Sequence, residues 1–442
     1  MSTRRDLAVM VIAIVAAGSF LTATDAEAWR LNGTSSTAAY IQEVAKQGTQ
    51  DDFENRTRLY ERLRIDVMEM GTPGLSLHTY GTLSNDVSNQ NIGDTRTRLY
   101  NTYLQYRVSP AAPNAFRYDA RLGRQWVSAG VGSSTIDGLV LAANRAGWGG
   151  VTLFGGTLGI ETLDQLRFDS LDESYRYGGR IQILPRFGES YEPELAVSFV
   201  GTNRNDVDES MRLGGRVGLR VRRQLWMWTE VRHDFLLDET YGTAAGIEFL
   251  KPSKLLRVWA EFNHRTAALP ATSFFSTWDT KPISELRGGI GTGISGPIRL
   301  IFDFTRTDFK AEASYVDVGG TPVSRSEVDR ATSYRFVLER NAAQIGVRFS
   351  SGFGGDRTGL VASLNQDIGE RVNVVLDVGY ESYDYGSNDY EENTAASGIL
   401  ALSYKAAQDT RVTAQIEALN NRDLKQDIRL LARVDQRFRL GR

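Results

Sequence analysis

The 442-residue chain has no cysteine, only three histidines (His78, His233 and His264) and ten prolines, and seven of its 51 basic residues are lysine. Each shortage closes off a chemistry. Without thiols there is no disulfide framework, no thiolate zinc site, no iron–sulfur cluster and no covalently attached haem. Three scattered histidines leave few parts for histidine-based catalysis. No window beyond residue 28 approaches about 18 consecutive apolar residues, which excludes helical membrane spans. Charge of neither sign dominates, with 51 basic against 54 acidic residues and a formal net charge of −3. Such a balance offers no basic field to nucleic acid. What is abundant is glycine (43 residues), aromatics (10 %) and arginine, 51 − 7 = 44 residues.

The chain opens with an address. Arg4 and Arg5 precede an apolar stretch from Leu7 to Leu21, and Ala26-Glu27-Ala28 supplies small residues at a cleavage position. Residues 1–28 therefore read as a cleaved secretory signal peptide. An exported chain without an apolar helix is either soluble outside the cytoplasm or an outer-membrane β-barrel.

Period-two alternation decides between them. Met211, Leu213, Val217, Leu219 and Val221 share one parity, and Arg212, Arg216, Arg220 and Arg222 share the other. A strand turns such a pattern into one apolar and one cationic face, whereas a helix would spread the arginines around its surface. The same alternation recurs at Leu63, Ile65 and Val67, at Tyr118, Ala120 and Leu122, at Val372 to Tyr380, and from Ile428 to Leu440. Many runs are about 10–13 residues long. Strands of soluble proteins average about 5–6 residues, but a tilted strand crossing a bilayer needs about 9–11. Short turns such as Gly71–Gly74 and Ala406–Asp409 alternate with longer polar stretches such as Ser84–Asp94, Thr202–Glu209, Thr266–Ser284 and Phe309–Arg330. That asymmetry fits the two rims of a barrel.

The expectation is an all-β fold, one transmembrane antiparallel up-and-down β-barrel of about 18–22 strands. Residues 57–442 form the barrel. Residues 29–56, polar and partly helix-like from Ala38 to Lys46, form an N-terminal plug-like or periplasmic segment with room for one strand. Phe438 in the last strand resembles the aromatic C-terminal mark read by barrel assembly machinery, although it lies four residues from the end.

One stretch carries a family likeness. Arg121-Leu122-Gly123-Arg124-Gln125-Trp126 is followed by Ile136-Asp137-Gly138-Leu139 and preceded by Arg98-Leu99-Tyr100 and Tyr103-Leu104-Gln105-Tyr106. It resembles a recurring strand pair of Gram-negative outer-membrane barrels of the porin or alginate-export type. The resemblance is confined to this region and implies passage of hydrophilic solutes across the outer membrane, small organic anions or an anionic polysaccharide among them. Arg124 departs from simple alternation by sharing parity with Leu122; a bulge at Gly123 would turn it inward, and otherwise it lies at a rim.

Inward parity carries the candidate pore-lining residues Arg62, Arg64, Arg117, Arg121, Arg180, Arg212, Arg216, Arg220, Arg222, Arg299, Arg348, Arg429 and Arg433. Guanidinium groups keep their charge and bind oxyanions, so they either conduct anions or pair across strands with Asp66, Asp119, Glu230, Glu248, Glu261, Asp303, Asp377 and Glu417 and brace the wall. Phe274, Phe275 and Trp278 mark Thr266–Ser284 as a constriction loop or an exposed outer loop. Trp226 and Trp228 form an aromatic girdle or a lumen platform, the girdle being the plainer reading.

No enzyme is indicated. His233 and Asp234 are adjacent, hence on opposite faces of a strand, and His78 in Ser76-Leu77-His78-Thr79 has no partner that sequence can name. No motif for a nucleotide, calcium or other cofactor appears. The expected role is a porin-like channel for passive passage or export of polar solutes or polysaccharide. Its expected partners are outer-membrane lipid, the assembly machinery, the solute and a periplasmic protein. The same architecture also suits the sheath of a porin–cytochrome electron conduit or a non-conducting structural or adhesion barrel.

Overall fold

The computed structural model describes residues 29–45, 53–87, 96–110, 112, 114–159, 173–188, 190–251, 256–266, 282–295, 297–309, 313–316, 322–325, 330–352, 355–384, 393–420 and 427–441. The signal-peptide stretch 1–28, like Phe274, Phe275 and Trp278, lies outside the described residues.

The chain folds as strands in simple succession. They are β1 Arg30–Ala45, β2 Phe53–Met68, β3 Leu75–Asp86, β4 Arg96–Val108, β5 Arg117–Ser128, β6 Ser133–Arg145, β7 Gly149–Leu158 and β8 Ser174–Ile183. Next come β9 Tyr191–Arg204, β10 Val207–Val221, β11 Leu225–Asp234, β12 Glu239–Lys251, β13 Leu256–Arg265, β14 Ile283–Ser295, β15 Ile298–Phe309, β16 Ala313–Val316 and β17 Pro322–Arg325. The last are β18 Arg330–Arg340, β19 Ala343–Gly352, β20 Asp356–Ile368, β21 Val372–Asp384, β22 Asn393–Ala407, β23 Thr410–Asn420 and β24 Asp427–Gly441. β16 and β17 pair only with each other; the other strands make one 22-stranded antiparallel sheet. β1 pairs with both β2 and β24, which closes the barrel and leaves no free first or last edge. The strand number is at the upper end of the sequence expectation.

Closure corrects the reading of residues 29–56. Residues 30–45 are wall rather than plug, paired along their whole length with β2. The alternation was hard to see because the outward positions of β1 between Leu31 and Ile41 are Gly33, Ser35, Thr37 and Ala39, none of them a large apolar side chain. Opposite Gly33 stands Phe438 of β24, whose ring fills the space a side chain would take. A second correction concerns Thr202–Glu209. β9 and β10 continue through most of it and turn at Asn205-Asp206, both with positive φ (52° and 62°). Those angles are the type I′ hairpin preferred between twisted antiparallel strands, and Asn and Asp tolerate them.

The outward parity carries the apolar belt. Leu338, Ile345, Val378, Leu400, Ile416 and Leu430, all exposed, exemplify it. Phe302, Phe304, Phe336 and Tyr334 pack together on the same outer face of β15 and β18. A soluble protein would bury such a surface; a barrel gives it to lipid and pairs its backbone internally.

Candidate functional site: the lumen wall and its inward hairpin

Cross-strand register shows which side chains line the inside. One row runs Glu192, Arg220, Trp226, Glu248, Trp259 across β9 to β13. Another runs Gln105, Arg121, Val140, Phe154 across β4 to β7. Of the sequence candidates, Arg62, Arg64, Arg117, Arg121, Arg180, Arg212, Arg216, Arg220, Arg299, Arg348, Arg429 and Arg433 occupy inward register positions. Arg222 does not. It and Arg223 have φ of 48° and 56°, so β10 ends at Val221 and Arg222 stands in the three-residue turn 222–224 at the rim.

Most of the inward arginines are engaged. Arg64 pairs with Asp66 at 2.9 Å and Arg121 with Asp119 at 2.6 Å. Arg212 meets Asp234 at 3.1 Å, and Arg216 lies between Glu230 at 3.7 Å and Glu194 at 4.0 Å. Arg180 faces Glu194 at 3.8 Å, Arg220 faces Glu192 at 3.8 Å, and Arg299 faces Glu339 at 3.6 Å. Arg429 holds Asp427 at 2.6 Å and Arg433 holds Asp435 at 2.9 Å. Among the described residues Arg62, Arg117 and Arg348 make no ion pair. Arg348 stands directly opposite Arg335. It lines, with Arg335, Arg357, Trp259, Ser333 and Ser350, a wall pocket of about 560 Å³. Trp226 and Trp228 share this inner face instead of forming a girdle, because their register partners are Arg220 and Gly218. The Arg216 guanidinium lies 4.8 Å from the Trp228 ring and that of Arg220 lies 5.2 Å from the Trp226 ring. Such contacts contribute about 0.5–1 kcal/mol or more each and hold both groups to the wall.

The hairpin joining β5 and β6 leaves that wall. Pairing of β5 with β4 ends at Arg124–Thr102, while β5 and β6 stay paired to Ser128–Ser133. The departure is at Gly123, whose φ is +124°. A side chain there would collide with the Thr102 carbonyl oxygen as well as forbid the angle. Register runs through Gly123 unshifted on both sides, so the device is a glycine bend and not a bulge. Arg124 consequently lies neither at a rim nor along an open pore. It is 3 % exposed and gives Asp137 two hydrogen bonds of 2.7 Å.

Beyond the bend the tip, closed by a 3.0 Å bond from the Ala129 N–H to the Gly132 carbonyl, lands on the far side of β7. The Tyr241 hydroxyl of β12 donates to the Val131 carbonyl at 3.0 Å. Val131 sits against Gly214 of β10, where any side chain would overlap it. Val127, Ala129, Val131 and Ile136 of the hairpin and Val140, Phe154 and Val200 of the wall form a buried apolar cluster. Full burial stabilises by about 1.5–3 kcal/mol for each large member, enough to fix the hairpin inside. Sequence reasoning missed this constriction. Its traces were Val140, Phe154 and Val200, buried apolar residues on the inward parity of β6, β7 and β9. The remaining histidines differ in placement: His233 and His264 take outward register positions, whereas His78 faces the lumen opposite Asp66.

No family model matches the chain, and no curated protein matches it by sequence. Among solved structures it is similar to the siderophore receptor PirA from Pseudomonas aeruginosa, at 13 % identity and a TM-score of 0.53, over 92 % of this chain and 80 % of that one. It also matches the outer membrane protein OpdK from Pseudomonas aeruginosa at 7 % identity and a TM-score of 0.42, over 93 % of this chain and 99 % of that one. OccAB1 from Acinetobacter baumannii matches at 12 % identity and a TM-score of 0.41, covering 93 % and 97 %. At these identities the likeness is one of fold, and it rests on PirA.

Proposed function

We propose that the chain is an outer-membrane channel for passive passage of small polar solutes, narrowed by the β5–β6 hairpin and favouring anions. The observation that carries this reading is the hairpin packed inside a closed barrel, beneath a wall whose inward parity is rich in arginine. A closed wall with an apolar outer belt suits a bilayer, and 22 strands enclose a lumen wide enough to need a constriction or plug. The paired arginines brace the wall. Preference among ions then falls to guanidiniums free of acidic partners among the described residues, Arg62, Arg117 and Arg348. The hairpin takes up lumen space, which argues against a sheath threaded by a cytochrome.

Single-channel conductance of the purified, refolded barrel in a planar bilayer, under a salt gradient, tests the reading. Stepwise anion-preferring conductance is expected, with Arg348→Glu shifting the reversal potential toward cations. A barrel that inserts but never conducts would sink it.

A further inference from the structure

On the lumen side of β2 to β4, away from the hairpin tip, four polar side chains form a relay. Ser76 Oγ is 2.9 Å from His78 Nε2, and His78 Nδ1 is 2.6 Å from Asp66 Oδ1. The second Asp66 oxygen accepts from Arg64 Nε at 2.9 Å. That carboxylate therefore holds the proton of His78 on Nδ1 and leaves Nε2 facing the serine hydroxyl. The imidazole is further fixed by the Tyr103 ring stacked on it, with centroids 5.0 Å apart. Gln105 Oε1 lies 3.0 Å from Nε2, its amide nitrogen being committed to Asp119. An amide oxygen there accepts nothing from neutral Nε2. It gains a hydrogen bond only when Nε2 takes up a proton, the state that a general base reaches in the transition state.

We propose that Ser76 is an acyl-accepting nucleophile with His78 as its general base, Asp66 and Gln105 being positioning residues, and that the lumen wall cleaves small esters of polar alcohols. Ser76 is 9 % exposed and, like His78, stands on the lumen face of β3. The Ser76 oxygen bonds to the ester carbonyl carbon as its proton passes to His78 Nε2. The carbon–oxygen bond to the alcohol then breaks, and the alcohol leaves with that proton. Water attacks the acyl-serine, gives a proton to His78, and releases the carboxylic acid as the proton returns to Ser76. No oxidant, metal or further reactant is consumed. The arrangement reproduces the connectivity of a serine–histidine–aspartate triad, and geometry rather than order in the chain defines such a site. This activity does not depend on conduction.

The test is labelling of the full refolded barrel with a fluorophosphonate probe, located by peptide mass spectrometry and followed as a rate between about pH 6 and pH 9. Ser76 takes the label, the Ser76→Ala barrel takes none, and His78→Gln slows labelling at least 100-fold, the lower range for general-base assistance. Asp66→Asn changes the pH profile, which a bracing role would leave alone. Conductance of Ser76→Ala stays at the wild-type value, separating this activity from the channel. Folded wild-type protein that leaves Ser76 unlabelled overturns the proposal, as does labelling of His78→Gln at the wild-type rate. Should His78→Gln not refold, the wild-type profile decides: a rate that rises through one ionisation supports the relay, and a flat one overturns it.

Discussion

The inner wall presents two contrasting regions. Along β18 to β21 the inward positions are mostly polar, among them Ser333, Arg335, Glu339, Gln344, Arg348, Ser350, Asp377 and Glu381, with Val337, Val361 and Val375 between them, and outward positions carry Tyr334, Phe336, Ile345, Leu360 and Val378. Along β6 to β9 the inward positions include Val140, Phe154 and Val200, each at most 7 % exposed. The first region meets water on one side and a lipid-like surface on the other, so polarity follows parity at most of its positions. The second meets its own chain, the folded-in hairpin, and has apolar faces on both sides. Alternation therefore reports what a face touches, and the strand itself is the same in both.

The largest effect that would break this contrast is loss of the buried ion pair at the hairpin root. Arg124→Ala leaves Asp137 buried and unpaired and is expected to destabilise the barrel by about 3–5 kcal/mol. Urea unfolding of the refolded protein in bilayers measures it. The double change Arg124→Met with Asp137→Leu should recover most of that loss; an additive double mutant would show that the pair does not act as a unit. A smaller effect is expected from Gly214→Leu, which evicts Val131 from its seat. Overpacking of this sort costs about 1–3 kcal/mol, and release of the tip should raise single-channel conductance. Unchanged conductance would mean that the hairpin does not narrow the path.

Tyr241→Phe removes one hydrogen bond to the Val131 carbonyl, for a loss of about 0.5–1.5 kcal/mol, seen as more frequent current flicker with little change in mean conductance. The smallest effect sharpens the comparison from the other side. Ser350→Ala on the uncovered wall should alter stability by less than about 0.5 kcal/mol, as at open positions generally. A cost near that of Gly214→Leu would mean that this wall too is covered.

Where each face met a single environment, the sequence was legible. Met211 to Val221 announces β10, and the inward placement of Arg212, Arg216 and Arg220 follows from parity. β1 was obscured because Gly33, Ser35 and Thr37 are small or polar on the outer face, so its strand nature depends on pairing with β2 and β24. Arg222 was misplaced because two successive positive φ angles stop the alternation one residue earlier. Trp226 and Trp228 were ambiguous in isolation, since an aromatic at a lipid interface and one over a lumen arginine look alike until the register with Arg216 and Arg220 is known.

By itself the sequence determined the β class, the long two-faced strands and the arginine-rich inner parity. These are local properties, set by a repeat of two residues and by the length of each run. Only the tertiary structure decided that residues 30–45 close the ring, that a bend at Gly123 sends the hairpin from β5 across to Tyr241, and that Asp66, Ser76, His78 and Gln105 meet. Each of these joins residues far apart in the chain, such as Val131 and Tyr241, 110 positions apart. Alternation fixes which face a side chain takes, but register and closure fix its neighbours, and those are set by the whole ring at once.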